Sequence, residues 1–307
     1  MKKLILFIGC FSILHFAKAQ EQAAVFNHYI ISPILITPAV AGFSETHQIQ
    51  VNIHSQFTGF SGAPKTYEVS YNGPIGKTLG IGLGVLSEDI GNTSRLRFQL
   101  NYAFRYQFNN VKIGAGFSTE FHTFKVDNSV RQNPFYQPGD LILDEAIGGN
   151  KIFDAALGFW ATFNDQTFVG LSFQNLIVAK IGEIESGDPQ GSFFKYVIFN
   201  LGHEFEVQQF SFKLEPSLML RRIRNTPFQA DFNVKASFLD EKLITAVTYH
   251  VVNDGAVGLL LGTKIQTFRI YYSYDVSFGD FQQYNSGSHE VTVVFDFAKG
   301  KKKNKHD

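Results

Sequence analysis

Three clusters in this chain carry residue types that could do chemistry. His203-Glu204-Phe205-Glu206 and His289-Glu290 put imidazoles beside carboxylates, the donor types of a transition-metal site. Gly80-Ile81-Gly82-Leu83-Gly84 has the glycine density of a phosphate-cradling loop. Serine, histidine and aspartate are plentiful enough to keep nucleophilic hydrolysis in view. Spacing argues against all three. On a strand, neighbouring residues face opposite sides, so His203 and Glu204 cannot bind one metal ion, and no partner stands at ligand spacing. The glycines alternate as strand positions do and no helix follows them, so they fit close interior packing or room for a plug. No Gly-x-Ser-x-Gly elbow occurs. The sequence therefore offers no catalytic residue, no cofactor-binding residue and no metal ligand set, and the chain reads as a non-enzyme.

What positions these side chains is strict alternation. From Arg95 to Gln107 every even residue is large and apolar or aromatic, while the odd residues are charged, polar or small. Alternation of this kind gives a strand one oily and one wet face. Segments of the same character recur near 47–56, 65–73, 79–88, 95–107, 110–124, 151–163, 166–176, 195–206, 209–222, 228–238, 242–251, 256–264, 267–276 and 288–298. That is about fourteen strands, an even number, as a closed bacterial barrel with both termini on one side requires. In a soluble sandwich the oily faces would pack on each other; in an outer-membrane barrel they meet lipid and the wet faces line the lumen.

The connections separate these two solvents. Every second one is a tight turn, as at Asn109-Asn110, Asn164-Asp165-Gln166, Val207-Gln208, Asp240-Glu241-Lys242 and Ile265-Gln266. The other set includes the long stretches 127–150, 177–192 and 276–287. Short periplasmic turns alternating with longer outer loops is the outer-membrane pattern, and a Greek-key sandwich has no reason to sort its loops by parity. The predicted fold is all-β, a transmembrane antiparallel β-barrel.

A charge at mid-bilayer on the lipid face costs ~2–4 kcal/mol. The lumen is therefore the expected place for Arg97, Arg105, Lys112, Glu120, Lys213, Glu215, Arg221, Asp231, Arg269 and Asp275. Their mixed signs predict a salt-bridged interior rather than a pore selective for one sign of ion. The chain as a whole balances 27 acidic against 27 basic residues, so nothing points to nucleic acid as a partner. A mean hydropathy of -0.04 suits a barrel, in which half of each strand is polar.

Four regions follow along the chain. Residues 1–19 read as a secretory signal, with Lys2-Lys3, an apolar core and Ala17-Lys18-Ala19 at its end. Cleavage there removes Cys10, the one cysteine, and leaves neither disulfide nor thiolate chemistry. Residues 20–45 do not alternate; Pro33 and Pro38 break any long helix or ladder strand, so this is a plug-like or periplasmic segment at the barrel mouth. Residues 46–298 form the barrel, and 299–307 a basic tail in the periplasm.

Several motifs in order resemble the PorP/SprF family of type IX secretion-system membrane proteins. They begin with Phe26-Asn27-His28-Tyr29, Ser32-Pro33 and Thr37-Pro38-Ala39-Val40-Ala41-Gly42, then run through Gln56-Phe57-Thr58-Gly59-Phe60-Ser61-Gly62-Ala63-Pro64-Lys65-Thr66. Gly82-Leu83-Gly84, Asp89-Ile90-Gly91, Gly170-Leu171-Ser172, Asn175-Leu176, Pro216-Ser217, Tyr272-Ser273-Tyr274-Asp275 and Gly287-Ser288-His289-Glu290 complete the set. The family's two Asn-Pro pairs have lost their Asn here, to Ser32 and Thr37, and its usual Trp is Phe57.

The resemblance implies an outer-membrane component of the secretion and gliding apparatus of a Gram-negative bacterium. Its partners would be outer-membrane lipid, a large surface protein carrying a C-terminal signal domain, and periplasmic parts of the machine. The outer loops, with Phe135, Tyr136, Phe278, Phe281 and Tyr284 as aromatic anchors and Phe57, Gly59, Phe60, Gly62 and Pro64 in the 56–66 stretch, are the expected docking surface. The rival expectation is a passive channel for a small or hydrophobic solute.

Overall fold

The computed structural model describes residues 26–181, 195–223, 226–251 and 255–299. The expected signal at 1–19, the tail beyond 299 and the part of the 177–192 loop from 182 onward lie outside the described residues.

Period-2 patterning becomes one antiparallel sheet that closes on itself. In chain order its strands are β1 (Thr46–Ser55), β2 (Lys65–Ile75), β3 (Leu79–Ile90), β4 (Thr93–Phe108), β5 (Val111–Val126) and β6 (Asn150–Phe163). There follow β7 (Thr167–Phe173), β8 (Ala179–Lys180), β9 (Tyr196–His203), β10 (Phe205–Val207) and β11 (Phe212–Ile223). The last five are β12 (Gln229–Phe238), β13 (Leu243–Val251), β14 (Ala256–Ile265), β15 (Phe268–Ser277) and β16 (Ser288–Lys299). Each pairs with its neighbour, and the first strand pairs with the last, from Ser55 opposite His289 to Thr46 opposite Lys299. Two of these segments only continue another strand: β10 extends β9 past Glu204, both along β11, and β8 extends β7 along β6. The wall is thus a closed barrel of fourteen strands, the number that the alternation predicts.

The pleat sorts the side chains as two solvents demand. Along β2, Val69 is 53% exposed while Glu68 is 5% exposed, and the same inversion of the usual oil-inside rule holds round the barrel. Ile49, Val51, Ile53, Leu83, Val85, Phe98, Phe117 and Phe121 all stand outward, exposed, while Gln50, Asn52, Asn101, Ser118 and Glu120 are buried inward. A wall oily outside and polar inside makes sense only with lipid around it. No helix among the described residues is long and apolar enough to cross a membrane; the strands do the crossing.

Tight turns occupy one end of the barrel, together with the start of β1 and the close of β16; longer loops occupy the other. The ladder breaks where β7 gives way to β8, because Asn175 and Val178 adopt left-handed backbone angles, φ 54° and 47°. Asp154 repairs the gap from the next strand: one carboxylate oxygen accepts the backbone N–H groups of Ile177 (3.1 Å) and Val178 (3.2 Å), and of Ala155 (2.7 Å). Strand β7 therefore stops at Phe173, short of the 176 that alternation predicts.

Candidate functional site

The lumen is not empty. Residues 26–45 run through it as three 3-10 turns, Asn27–Ile30, Pro33–Leu35 and Pro38–Val40. Prolines that cannot join a ladder open the second and third turns. Phe26 lies near His54 at the long-loop end, and the segment descends from there to the tight-turn end before entering β1.

Four groups of contacts hold it at successive depths. At the top, the Glu290 carboxyl accepts the backbone N–H groups of Asn27 (2.7 Å) and His28 (3.2 Å) and the Asn52 amide (2.7 Å). His28 Nδ1 lies 2.6 Å from Thr292 Oγ1, and Asn27 donates its amide to Asp275 at 2.8 Å. Next, the Tyr29 hydroxyl accepts from Asn233 (2.9 Å) and donates to Asp231 (3.3 Å), while its ring packs in an apolar pocket with Tyr196, Ile198, Met219 and Ile223. At mid-depth Ser32 donates to Gln50, and Gln174 donates to the Ile36 carbonyl at 2.9 Å. At the bottom, Arg105 donates to the carbonyl of Gly42 and Lys112 to that of Phe43.

The wall is made of glycine where the segment comes closest. A Cβ at Gly80 would stand 1.8 Å from the Ala41 carbonyl oxygen, and one at Gly116 would stand 2.5 Å from the Ala39 nitrogen. Backbone of the plug lies directly on backbone of the wall there, so any side chain must push it away.

Around the plug the remaining charges pair off. Arg97 lies between Glu68 (3.9 Å) and Glu120 (3.8 Å), and His122 is 3.2 Å from Glu120. His250 bridges Asp231 (2.8 Å) and Asp275 (3.4 Å), the two carboxylates that also hold Tyr29 and Asn27. Glu215 meets Lys235 at 2.9 Å, Arg269 meets Asp296 at 2.8 Å, and Arg221 donates to Gln229 at 2.6 Å. Lys213 pairs with Glu204 at 2.7 Å but stands at the tight-turn rim, about half exposed, outside the packed interior. A cavity of about 150 Å³ remains at the long-loop mouth, lined by Asn27, Gln56, Arg221, Gln229, His250 and Gln282 among others.

The long-loop end is knit together in part. The β1–β2 and β15–β16 loops exchange backbone hydrogen bonds, Thr58 N–H to the Gly287 carbonyl (2.8 Å) and Ser286 N–H to the Thr58 carbonyl (2.6 Å). Phe281, from the 3-10 turn Asp280–Tyr284, stacks edge-on against Phe57 (5.2 Å) and Phe60 (5.5 Å). Gly62 accepts a bond from Gly91 in the β3–β4 turn, and the Pro64 carbonyl accepts from Gln56. Gly59 faces Ser286. Phe278 lies beside Gly255, and Tyr284 is exposed.

Phe135 and Tyr136 belong to a separate structure, the β5–β6 loop. It folds around helix α1 (Leu141–Gly148), whose N-terminus Asp140 caps by accepting from Ile142 and Leu143, both at 3.1 Å. Asp144 of this helix holds Arg131 (2.8 Å) and the Tyr136 hydroxyl (3.2 Å). Phe135 is 91% exposed, and Leu141 and Ile142 of the helix are 82% exposed each. The structure thus brings Phe57, Phe60 and Phe281 into one cluster and leaves Phe135 and Tyr136 apart from it. Leu141 and Ile142 escape sequence reasoning, because the 127–150 stretch reads as an outer loop with no helix to project them.

The clusters that opened the sequence analysis have structural partners. Glu290 is wholly buried against the plug while His289 faces outward onto the Tyr272 hydroxyl at 2.8 Å. His203 meets Thr167 at 2.7 Å. Among the described residues no group of three or more His, Cys, Asp or Glu is placed to hold a metal ion.

Comparison with known proteins agrees with this architecture. The family model described as type IX secretion system membrane protein PorP/SprF matches residues 18–295. The chain belongs to this family. PorP/SprF membership thus covers the plug and nearly all of the barrel. No curated protein sequence matches the chain. Among solved structures it is similar to a TodX deltaS2S3 mutant, a monoaromatic hydrocarbon channel, at 10% identity and TM-score 0.51, over 90% of this chain and 95% of that one. It is also similar to the Pseudomonas putida toluene transporter TodX (10% identity, TM-score 0.49, 91% and 94% covered). A third is the KdgM porin (13% identity, TM-score 0.41, 82% and 99% covered). At such identities the likeness is one of fold, the outer-membrane β-barrel.

Proposed function

We propose that this PorP/SprF protein is a non-enzymatic barrel of the outer membrane of a Gram-negative bacterium. It binds a large surface protein through that protein's C-terminal signal domain and helps to export or retain it. The long-loop end faces the medium and the tight-turn end faces periplasmic parts of the secretion machine. One observation carries the reading: the chain's own residues 26–45 fill the lumen while the long-loop end presents a folded aromatic surface. A barrel built for solute flux has little use for an interior tied shut at four depths. One built to hold a partner needs a rigid platform with exposed apolar anchors.

Phe135, Leu141 and Ile142 on the β5–β6 loop, together with Tyr284 and the Phe57–Phe60–Phe281 cluster, supply those anchors. The test is to replace residues 128–148 by a short linker and follow surface proteins on intact cells. Release or stranding of one large protein is the expected outcome. Unchanged display, with the shortened barrel still in the membrane, would refute the docking role. Steady open-channel current from the intact barrel in planar bilayers would instead favour the passive channel.

A further inference from the structure

The outward face of the barrel carries its cations at one end only. Lys65 on β2, Lys125 on β5, Lys151 on β6 and Arg222 on β11 all point away from the lumen and are exposed. All four stand at the long-loop ends of their strands. At the tight-turn end the outward positions include Ile75, Phe108, Phe163, Leu243, Ile265 and Phe268, and among the described side chains no lysine or arginine joins them. Cations that merely reach for water would be placed at both ends, since both ends of a transmembrane wall meet headgroups and water. A one-sided set calls for a leaflet whose headgroups are anionic on that side.

Lys125 and Lys151 stand side by side. Thr123 lies opposite Lys151 in the ladder, so Lys125 is the diagonal neighbour of Lys151 on the same face. Diagonal neighbours of this kind are ~7–8 Å apart, within reach of two long side chains that share one anion. Next along the strands, toward the membrane, Phe121 pairs with Phe153 at 5.3 Å, an aromatic layer of the kind that marks the border between hydrocarbon and headgroups. The stem of Lys125 is packed from the loop side: a Cβ at Gly149, the cap residue after helix α1, would stand 2.9 Å from its Cε. Across from Lys125 on β4 is Ser94, and Asp89 beyond it is itself opposite Lys65. Two acids of the loop are engaged elsewhere, Asp144 with Arg131 (2.8 Å) and Glu145 with Lys180 (3.0 Å). Among the described residues no carboxylate forms an ion pair with Lys125 or Lys151.

We infer that Lys125 and Lys151 bind the phosphate of a phosphorylated lipid headgroup in the leaflet at the long-loop end. The phosphate bridges the two ammonium groups while the acyl chains lie on Phe121 and Phe153. A dissolved anion would gain only the first of these contacts, so the site is one for lipid rather than for free phosphate. Because the Lys125 stem underlies Gly149, the bound headgroup also forms a floor for the β5–β6 loop. The site belongs to the wall and its lipid, and it stands whether or not that loop docks a protein.

Lipid retention by the purified full-length barrel tests it. The barrel in neutral detergent is titrated with diphosphorylated lipid A, and the retained lipid is counted by native mass spectrometry. Lys125→Gln combined with Lys151→Gln should weaken retention by about thirtyfold, and each single change by about fivefold. Lys77→Gln, in the β2–β3 tight turn, should leave it unchanged. Heat-resistant mobility in gels shows that the wall of each variant has closed; should the double variant fail to close, the single ones carry the test. Dephosphorylated lipid A should bind the parent about as weakly as the phosphorylated lipid binds the double variant. Equal retention by the parent and the closed variants, or equal retention of both lipids by the parent, overturns the inference. So does ready displacement of the lipid by inorganic phosphate, which would make this a site for a free anion.

Discussion

Removing the Glu290 carboxyl should unlock the plug while sparing the barrel. Glu290 is fully buried and accepts three hydrogen bonds, from the backbone of Asn27 (2.7 Å) and His28 (3.2 Å) and from Asn52 (2.7 Å). Truncation in Glu290→Ala leaves the buried backbone N–H groups of Asn27 and His28 without an acceptor, each worth about 1–3 kcal/mol, while the Asn52 amide keeps Thr292 Oγ1 at 2.6 Å. Relaxation and water entry favour the low end, so we take about 3 kcal/mol in total. At ~1.4 kcal/mol per decade, the balance between seated and released plug shifts by about two orders of magnitude. The backbone pairing of β16 with β1 and β15 does not involve the carboxyl, so the wall should close as before.

The assay is hydrogen exchange in micelles, reading the amides of residues 27–32 against those of β4 and β5. Protection should fall by about a hundredfold in the plug and stay unchanged in the strands. Glu290→Gln, which keeps one acceptor oxygen but turns an amide NH2 toward the same donors, should fall between the two. Unchanged protection of residues 27–32 in Glu290→Ala would refute the anchoring role.

Other outcomes follow from the same geometry. Gly116→Val should cost about 1–3 kcal/mol of plug seating, since even its Cβ meets the Ala39 nitrogen at 2.5 Å, and should raise conductance in planar bilayers above that of the parent. Asp154→Ala deprives the backbone of Ile177 and Val178 of its acceptor, so faster exchange at those amides, with β4 and β5 unaffected, is the expected reading. Phe281→Ala removes both edge-on ring contacts that join the two outer loops, worth about 0.5–1.5 kcal/mol each beyond area burial. It should increase protease cleavage at residues 57–63 and leave heat-resistant mobility of the barrel in gels intact. Leu83→Arg places a cation on the lipid face and should destabilise by ~2–4 kcal/mol if it lies at the bilayer midplane, measurable by denaturant refolding into vesicles.

The barrel was legible in the sequence because its signal is local. Which face Val69 or Glu68 takes depends only on the parity of its position, and every strand repeats that rule. The breaks were not legible, because they depend on backbone angles and on partners elsewhere. Asn175 continues an acceptable strand pattern, and only the fold shows that Asp154, on the neighbouring strand, supplies the acceptor that lets the ladder turn aside. The path of the plug was hidden for the same reason: Asn27 and Glu290 meet across a separation of 263 residues. A lone buried glutamate beside an outward histidine reads from sequence as a failed metal motif. Only the fold shows that the carboxyl serves backbone amides. The glycines of 80–84 gave a partial signal of close approach, and Gly80 is where the Ala41 backbone sits.

The claim that this barrel is a docking platform is tested most directly by what it holds. A tag placed between Gly187 and Asp188, gentle solubilisation and mass spectrometry of the co-purifying proteins would answer it. The account predicts one large surface protein, recovered with the full-length barrel and lost when residues 128–148 are replaced. A barrel reproducibly free of partners, and conducting steadily in planar bilayers, would contradict it.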